Sequence, residues 1–105
     1  MKIITVCKEG NNRSVQFAHL LKYKYKADVL AIGTSTCSVE TQKMLYEWAD
    51  YVIVTDSALL PLPVEIDELK IKLWDVGADT YPRPFNEDLY AIAKQIIADN
   101  PLEAV

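Results

Sequence analysis

The N-terminal quarter of the chain holds a set of residues whose types and spacing suit nucleophilic chemistry on phosphorus. Cys7 is followed by five residues and then by Arg13 and Ser14, in the segment CKEGNNRS. A thiolate is a strong nucleophile, and the planar guanidinium of an arginine matches two oxygens of a phosphate group. A serine hydroxyl beside the sulfur would hold the thiolate and help it to leave. The spacing predicts that Cys7 attacks a phosphoryl group that Arg13 holds.

The pattern around this segment predicts a strand before it and a helix after it. KIITV, residues 2–6, is a β-branched run with the length of a buried strand. From Ser14 to Tyr25, apolar residues recur with helical spacing. A cysteine between a strand and a helix lies among backbone N–H groups. These groups and the helix dipole favour the thiolate, and they can also bind phosphate oxygens.

The loop between this strand and this helix is predicted to bind the phosphate. Gly10, Asn11 and Asn12 are residue types that tolerate positive φ angles, which such an anion-binding loop requires. An arginine serves this loop better than a lysine because its donors form a planar fork. The predicted phosphate-binding residues are Lys8, Glu9, Gly10, Asn11, Asn12, Arg13 and Ser14.

The rest of the chain alternates apolar runs with helical segments. The further predicted strands are DVLAIG, YVIVT and LKIKLW, and the further helices begin at Ser38 and near Asn86, the last one ending at about Ala98. The residues of the second helix that are expected to point inward are Val39, Met44, Leu45 and Trp48. This alternation predicts an α/β three-layer sandwich with a four-stranded parallel sheet. Ligands bind such sheets at the carboxyl edge, where Cys7 would lie.

Length, composition and charge limit the classes of protein to consider. With 105 residues, 50% of them hydrophobic, residues 1–105 are expected to form one domain with a sizeable core. No run approaches the ~18 apolar residues of a membrane span. Two cysteines are too few for a disulfide framework, so a cytoplasmic location is expected. The net charge of -4 argues against nucleic acid as the main partner, although residues 1–35 carry six Lys/Arg against two Asp/Glu.

CKEGNNRS matches the C-x5-R-[ST] phosphate-binding loop of cysteine-dependent protein phosphatases. Its place at the end of the first strand resembles the low-molecular-weight protein tyrosine phosphatases, as do the segments AIGTST and WADYVIVTD. The resemblance implies a phosphomonoester hydrolase that works through a phosphocysteine intermediate on a phosphorylated protein or a small aryl phosphate. It implies Cys7 as nucleophile, Arg13 as phosphate ligand and an aspartic acid as proton donor. No metal or other cofactor is implied, and neither nucleic acid nor a membrane is an expected partner.

The loop WDVGADTYPRPF offers two candidates for the proton donor. Asp75 follows the fourth predicted strand directly, roughly as the acid of the family does. Asp79 is followed two residues later by Tyr81, which resembles the Asp-Pro-Tyr motif of the family. We therefore predict Asp79 as the acid and expect Asp75 to brace the loop or to reach Arg13. Tyr81 would either line the mouth of the site or pack against the loop.

The sequence also departs from the pattern of the family. Glu9 and Gly10 stand where the family typically has Gly and Asn. Asn12 replaces a second loop cysteine that protects the nucleophile in many members, so no loop disulfide is expected. Cys37 would be either a free thiol or a partner in a regulatory disulfide. Little sequence separates the second strand from the second helix, so the side chains that select phosphotyrosine in larger members are not evident.

Three other functions remain open on the same fold. A phosphocarrier of the sugar phosphotransferase type would carry phosphate on Cys7, but such carriers do not need Arg13. An arsenate reductase would need further cysteines to relay electrons, and only Cys37 is present. A phosphate-binding module without catalysis would not need the cysteine and the acid candidates together. The set of residues favours the phosphatase.

Overall fold

The computed structural model describes residues 1–104, which contain four strands and three α-helices. The strands are β1 (Lys2–Cys7), β2 (Asp28–Gly33), β3 (Tyr51–Val54) and β4 (Ile71–Leu73), and the helices are α1 (Arg13–Tyr25), α2 (Val39–Trp48) and α3 (Glu87–Asp99). Two short 3-10 turns, Ser57–Leu59 and Glu68–Lys70, connect β3 to β4. No helix in residues 1–104 has the length and apolarity needed to cross a membrane.

All strand pairs are parallel, and the order of the strands across the sheet is β2-β1-β3-β4. The chain passes from β1 to β2 on one side and then crosses to β3 on the other side. The carboxyl ends of β1 and β3 therefore border the point where the strand order reverses, which is where doubly wound sheets bind ligands. The predicted α/β fold with a four-stranded parallel sheet is confirmed.

Side chains of the sheet alternate between two cores because successive residues of a strand point to opposite faces. On one face, Ile3 and Ile53 pack against Phe17 and Leu21 of α1 and against α3. On the opposite face, Ile4, Val6, Val52 and Val54 pack against Tyr46 of α2 and against the β3–β4 connection. Both faces are covered, so the sheet holds its carboxyl edge in a fixed position.

The buried face of α2 differs from the predicted one. Its buried residues are Gln42 and Tyr46. Of the residues predicted to point inward, Leu45 is half-buried and packs against the core as expected, whereas the others are exposed: Val39, Met44 and Trp48. Gln42 can be buried because its amide donates to the carbonyl of Cys37 and accepts from the hydroxyl of Tyr46. Burial raises the pKa of that hydroxyl. The predicted cap is confirmed, because Ser38 Oγ accepts from the N–H of Thr41.

Strand β4 is shorter than predicted. The pattern placed residues 69–74 in it, but residues 69 and 70 belong to the 3-10 turn Glu68–Lys70. The side chain of Asp67 stabilises this turn by accepting from the N–H of Leu69 at 3.0 Å. The last helix begins and ends within one residue of its predicted bounds, and the 3-10 turn Ser57–Leu59 follows β3.

Candidate active site

Cys7 ends β1, and two hydrogen-bonding groups lie beside its sulfur. Cys7 Sγ is 3.0 Å from Ser14 Oγ, and it accepts from the backbone N–H of Gly10 at 3.1 Å. The cysteine is only 2% exposed. Thr5 Oγ1 donates to the carbonyl of Ser14 at 2.7 Å, which fixes the start of α1 against β1. Both groups beside the sulfur are placed where they could donate to a cysteine thiolate, the form that attacks phosphorus.

Gly10 gives the loop its turn and its close approach to β2. Its φ is +77°, and a Cβ atom on it would lie 2.7 Å from the backbone nitrogen of Gly33. A Cβ atom on Gly33 would lie 2.3 Å from the carbonyl carbon of Glu9. Two glycines are therefore required where the loop crosses the end of β2. The prediction of positive φ is right for Gly10 and wrong for Asn11 and Asn12, which keep negative φ.

Several backbone N–H groups of the loop are free to bind an anion. Among residues 1–104, no protein acceptor pairs with the N–H groups of six of the predicted phosphate-binding residues: Lys8, Glu9, Asn11, Asn12, Arg13 and Ser14. The N–H of Gly10 is already used by the cysteine sulfur. Unpaired N–H groups beside a helix N-terminus are suited to bind phosphate oxygens.

Arg13 is 3% exposed, and its guanidinium is held along one side only. Its Nη1 donates to Asp56 Oδ2 at 2.8 Å and to the carbonyl of Gly77 at 2.7 Å, which uses both hydrogens of that nitrogen. Nε is buried and has no hydrogen-bond partner in residues 1–104. A buried donor without a partner costs ~1–3 kcal/mol. The edge formed by Nε and Nη2 is thus left for a ligand with two adjacent oxygens.

Asp75 holds together the two segments that contact Arg13. Its carboxylate accepts from the N–H of Gly77 at 2.7 Å and from the N–H of Ser57 at 3.3 Å, next to Asp56. The hydrogen bond from Gly77 and those from Ser57 hold the pKa of Asp75 below its ordinary value of 3.8. The ionised form is the one stabilised by folding. Its contribution to stability is therefore present above that ordinary value and is lost as the pH falls through the lowered pKa.

Asp79 contacts the start of α1. Its Oδ1 accepts from Asn12 Nδ2 at 3.2 Å, and the same Nδ2 donates to the carbonyl of Tyr81 at 3.0 Å. Asn12 was predicted to bind phosphate, but its side chain connects the phosphate loop to the loop that carries Asp79. Tyr81 donates its hydroxyl to the carbonyl of Val76 at 3.0 Å, which matches the packing alternative for this residue.

A cleft of about 800 Å³ lies beside the loop that follows Cys7. Its walls include Lys8, Glu9, Arg13 and Asp79 of the predicted site, but neither Asp75 nor Cys7, whose sulfur is buried behind the loop. They also include Asp56, whose contact with Arg13 was not anticipated. The sequence position of Asp56 offered a signal, because it lies two residues after the end of β3, which is the neighbour of β1. Within the described chain, no group of three or more His, Cys, Asp or Glu side chains is placed to hold a metal ion.

The two cysteines do not form a disulfide. Cys37 is half-buried in a separate shallow hollow that is also lined by Gly10, Asn11 and Gly33. Cys7 is not part of the lining of that hollow. Asn11, another predicted phosphate ligand, lines this hollow and not the cleft.

The comparisons with known proteins give a result at the level of structure. No protein-family model and no curated protein sequence matches the chain. A solved structure, the YwlE arginine phosphatase from Geobacillus stearothermophilus, is similar to it with a TM-score of 0.60 and 20% sequence identity. The similarity covers 92% of this chain and 86% of that chain. The chain has the α/β fold of the low-molecular-weight phosphatases, as its sequence predicts.

Proposed function

We propose that the protein is a cysteine-dependent phosphatase that hydrolyses phosphate monoesters in two steps. One observation carries the proposal: the buried sulfur of Cys7, with two hydrogen-bonding groups beside it, shares a phosphate-sized loop with an arginine whose Nε is buried and unpaired. The sulfur is the nucleophile. The Nε–Nη2 edge of Arg13 and the free N–H groups of the loop bind the equatorial oxygens, where charge is concentrated in the transition state.

In the first step the thiolate of Cys7 attacks phosphorus in line with the leaving group. The S–P bond forms as the bond from phosphorus to the leaving oxygen breaks. Asp79 protonates that oxygen, so the product leaves as an alcohol or a phenol. Arg13 and the loop hold the phosphoryl group in the orientation that in-line attack requires.

In the second step water hydrolyses the phosphocysteine. Asp79, now a carboxylate, takes a proton from the attacking water, and the P–S bond breaks. The sulfur leaves as a thiolate that Ser14 Oγ and the N–H of Gly10 stabilise, and inorganic phosphate is released. The enzyme then returns to its starting state without a cofactor.

The assignment of Asp79 rather than Asp75 as the acid rests on their surroundings. Asp79 lines the cleft beside Arg13. Asp75 already accepts two N–H bonds, which lower its pKa and tie its carboxylate to the segments beside Arg13. We assign Asp75 as a positioning residue, because it joins the segments that hold the Arg13 guanidinium.

Two classes of phosphorylated residue fit this mechanism. Phosphotyrosine is the class that the sequence resemblance implies. Phosphoarginine is the second candidate, because the structure similar to this chain is described as an arginine phosphatase. In phosphoarginine the bond that breaks is P–N, and Asp79 would protonate the leaving nitrogen. A guanidine is more basic than a phenolate, whose conjugate acid has a pKa of about 10. Phosphoarginine would therefore depend even more strongly on the proton that Asp79 supplies.

Wild-type protein is expected to release phosphate over many turnovers from phosphotyrosyl peptides, p-nitrophenyl phosphate or phosphoarginyl peptides. Phosphate release measured at substrate excess tests this expectation. A single stoichiometric phosphorylation of Cys7 would favour a phosphocarrier. Binding without reaction would favour a phosphate-binding module, and reduction of arsenate would favour an arsenate reductase. Each of these results would overturn the proposed hydrolase, whereas the relative rates on the two peptides would assign the substrate class.

Arg13→Lys is expected to lower kcat/KM by roughly 10²-fold. The positive charge is kept, but a lysine cannot offer two donors along one edge while also binding both Asp56 and the carbonyl of Gly77. Steady-state kinetics on p-nitrophenyl phosphate measures the loss. Arg83→Lys is the matched control, since Arg83 is the other arginine of the chain and is exposed. Equal activity of wild type and Arg13→Lys would contradict the phosphate-binding role.

A further inference from the structure

An apolar groove runs beside the active-site cleft along the β3–β4 connection. It encloses about 920 Å³ and is lined by residues 60–66, Glu68, Ile71 and Leu73. Apolar side chains on its surface remain accessible, with Leu60 36% exposed and Leu73 45% exposed. Pockets that hold small-molecule ligands measure about 300–1,000 Å³. The groove is therefore large enough to hold several side chains of a bound peptide.

The groove adjoins the cleft that is lined by Arg13 and Asp79. Pro61 and Pro63 line both the groove and the cleft. Prolines have a fixed φ, so this shared wall is stiff. A molecule that places its phosphate at Arg13 and continues past these prolines enters the groove directly. The groove thus lies where the chain next to a phosphorylated residue would run.

The charges of the groove specify the chemistry of its occupant. The charged residues in its lining are Glu65 and Glu68, and both are exposed. Lys70, which lies nearby in sequence, turns its Nζ away to the carbonyls of Tyr46 and Glu47, at 3.2 Å from each. The groove therefore combines apolar walls with uncompensated negative charge, which attracts lysine and arginine side chains.

We propose that the groove binds the segment of a phosphoprotein substrate next to its phosphorylated residue and favours apolar and basic side chains there. This inference rests on the proposed phosphatase function and adds the sequence context of its substrate. Strand β4 supports it. Within residues 1–104, β4 pairs with β3 only, so its outer edge can accept an extended peptide.

Two phosphotyrosyl peptides test the proposal, one flanked by Leu and Lys and the other flanked by Gly and Glu. If wild type proves specific for phosphoarginine, the same flanks are built around phosphoarginine. We expect wild type to favour the basic peptide by about tenfold in kcat/KM, and Glu65→Lys/Glu68→Lys to reverse that preference. Leu60→Ser should raise the KM for the basic peptide a few-fold. Both variants should hydrolyse p-nitrophenyl phosphate as wild type does, because it does not reach the groove.

Asp99→Lys/Glu103→Lys is the matched control for net charge. The carbonyl of Glu103 accepts from the hydroxyl of Tyr51, the first residue of β3, so this pair lies at the sheet edge opposite Cys7. It should keep the wild-type preference. The inference would be overturned if both double variants shifted the peptide preference equally, or if wild type showed no peptide preference. Dimerisation through the groove, detected by sedimentation, would also overturn it. If p-nitrophenyl phosphate is still hydrolysed, such results leave the proposed phosphatase function standing. If neither p-nitrophenyl phosphate nor either peptide is hydrolysed, both proposals are overturned.

Discussion

Replacing Cys7 by serine is expected to lower phosphate release by about 10⁴-fold or more, while phosphate binding stays within a few-fold of wild type. The hydroxyl of a serine in this setting has no general base to activate it. The binding elements remain, because the free N–H groups of the loop and the Nε–Nη2 edge of Arg13 do not depend on the sulfur. Chemistry and binding should therefore separate in this one variant.

Steady-state phosphate release and calorimetric binding of inorganic phosphate measure the two effects. Cys37→Ser is the matched control, because Cys37 is the other cysteine and lies outside the cleft. It should retain wild-type turnover. Undiminished hydrolysis by Cys7→Ser would end the cysteine mechanism. Loss of phosphate binding together with loss of turnover would show that the sulfur organises the loop and would contradict the separation of roles.

The fold could be predicted from local patterns because both cores depend on them. Ile3 and Phe17 meet on one face of the sheet, and Ile4 and Val52 meet on the other, as a period of two in the strands requires. The closeness of Cys7 and Ser14 was also predictable, since a short loop fixes where its ends can lie. These contacts follow from residues that are close in sequence or from the alternation of side chains along a strand.

The contacts that could not be predicted join residues that are far apart in sequence. The guanidinium of Arg13 is held by Asp56 and by the carbonyl of Gly77, on two different loops at the carboxyl edge of the sheet. The bond from Asn12 to Asp79 is of the same kind. Each depends on the direction that a side chain takes from its backbone, which follows from tertiary packing. Residue types alone gave no sign that the side chain of Asn12 would reach Asp79.

The buried amide in α2 illustrates another limit of pattern reading. Hydrophobic spacing predicted Met44 and Trp48 on the inner face, but Gln42 and Tyr46 occupy it. A polar side chain can be buried at little cost when its hydrogen bonds are satisfied, as those of Gln42 are. Its burial is decided by partners that the sequence pattern does not reveal.

Asp79→Asn is expected to lower kcat by roughly 10²–10⁴-fold on phosphotyrosine and much less on p-nitrophenyl phosphate. Tyrosine has a pKa of about 10, so its oxygen leaves poorly without a proton. The nitrophenolate is a far better leaving group and needs the acid less. The asparagine keeps the size of the side chain and its oxygen can still accept from Asn12 Nδ2, so the loop should keep its position.

Asp75→Asn is the matched variant, and it should behave differently on the same two esters. The amide oxygen can keep one of the two N–H bonds from Gly77 and Ser57 but presents an NH₂ group to the other. The segments that hold Arg13 should loosen, which raises KM for both esters to a similar extent. A positioning role predicts this uniform effect, because Arg13 binds the phosphate regardless of the leaving group.

The comparison of the two variants on both esters decides which carboxyl group is the acid. Dependence on the leaving group in Asp79→Asn, with a uniform effect in Asp75→Asn, is the result that the geometry predicts. The reverse result would exchange the two roles. It would require Asp75 to release its N–H partners and gain a proton against the hydrogen bonds that lower its pKa. Since those bonds tie together the segments beside Arg13, a proton on Asp75 would weaken the phosphate site at the moment of catalysis.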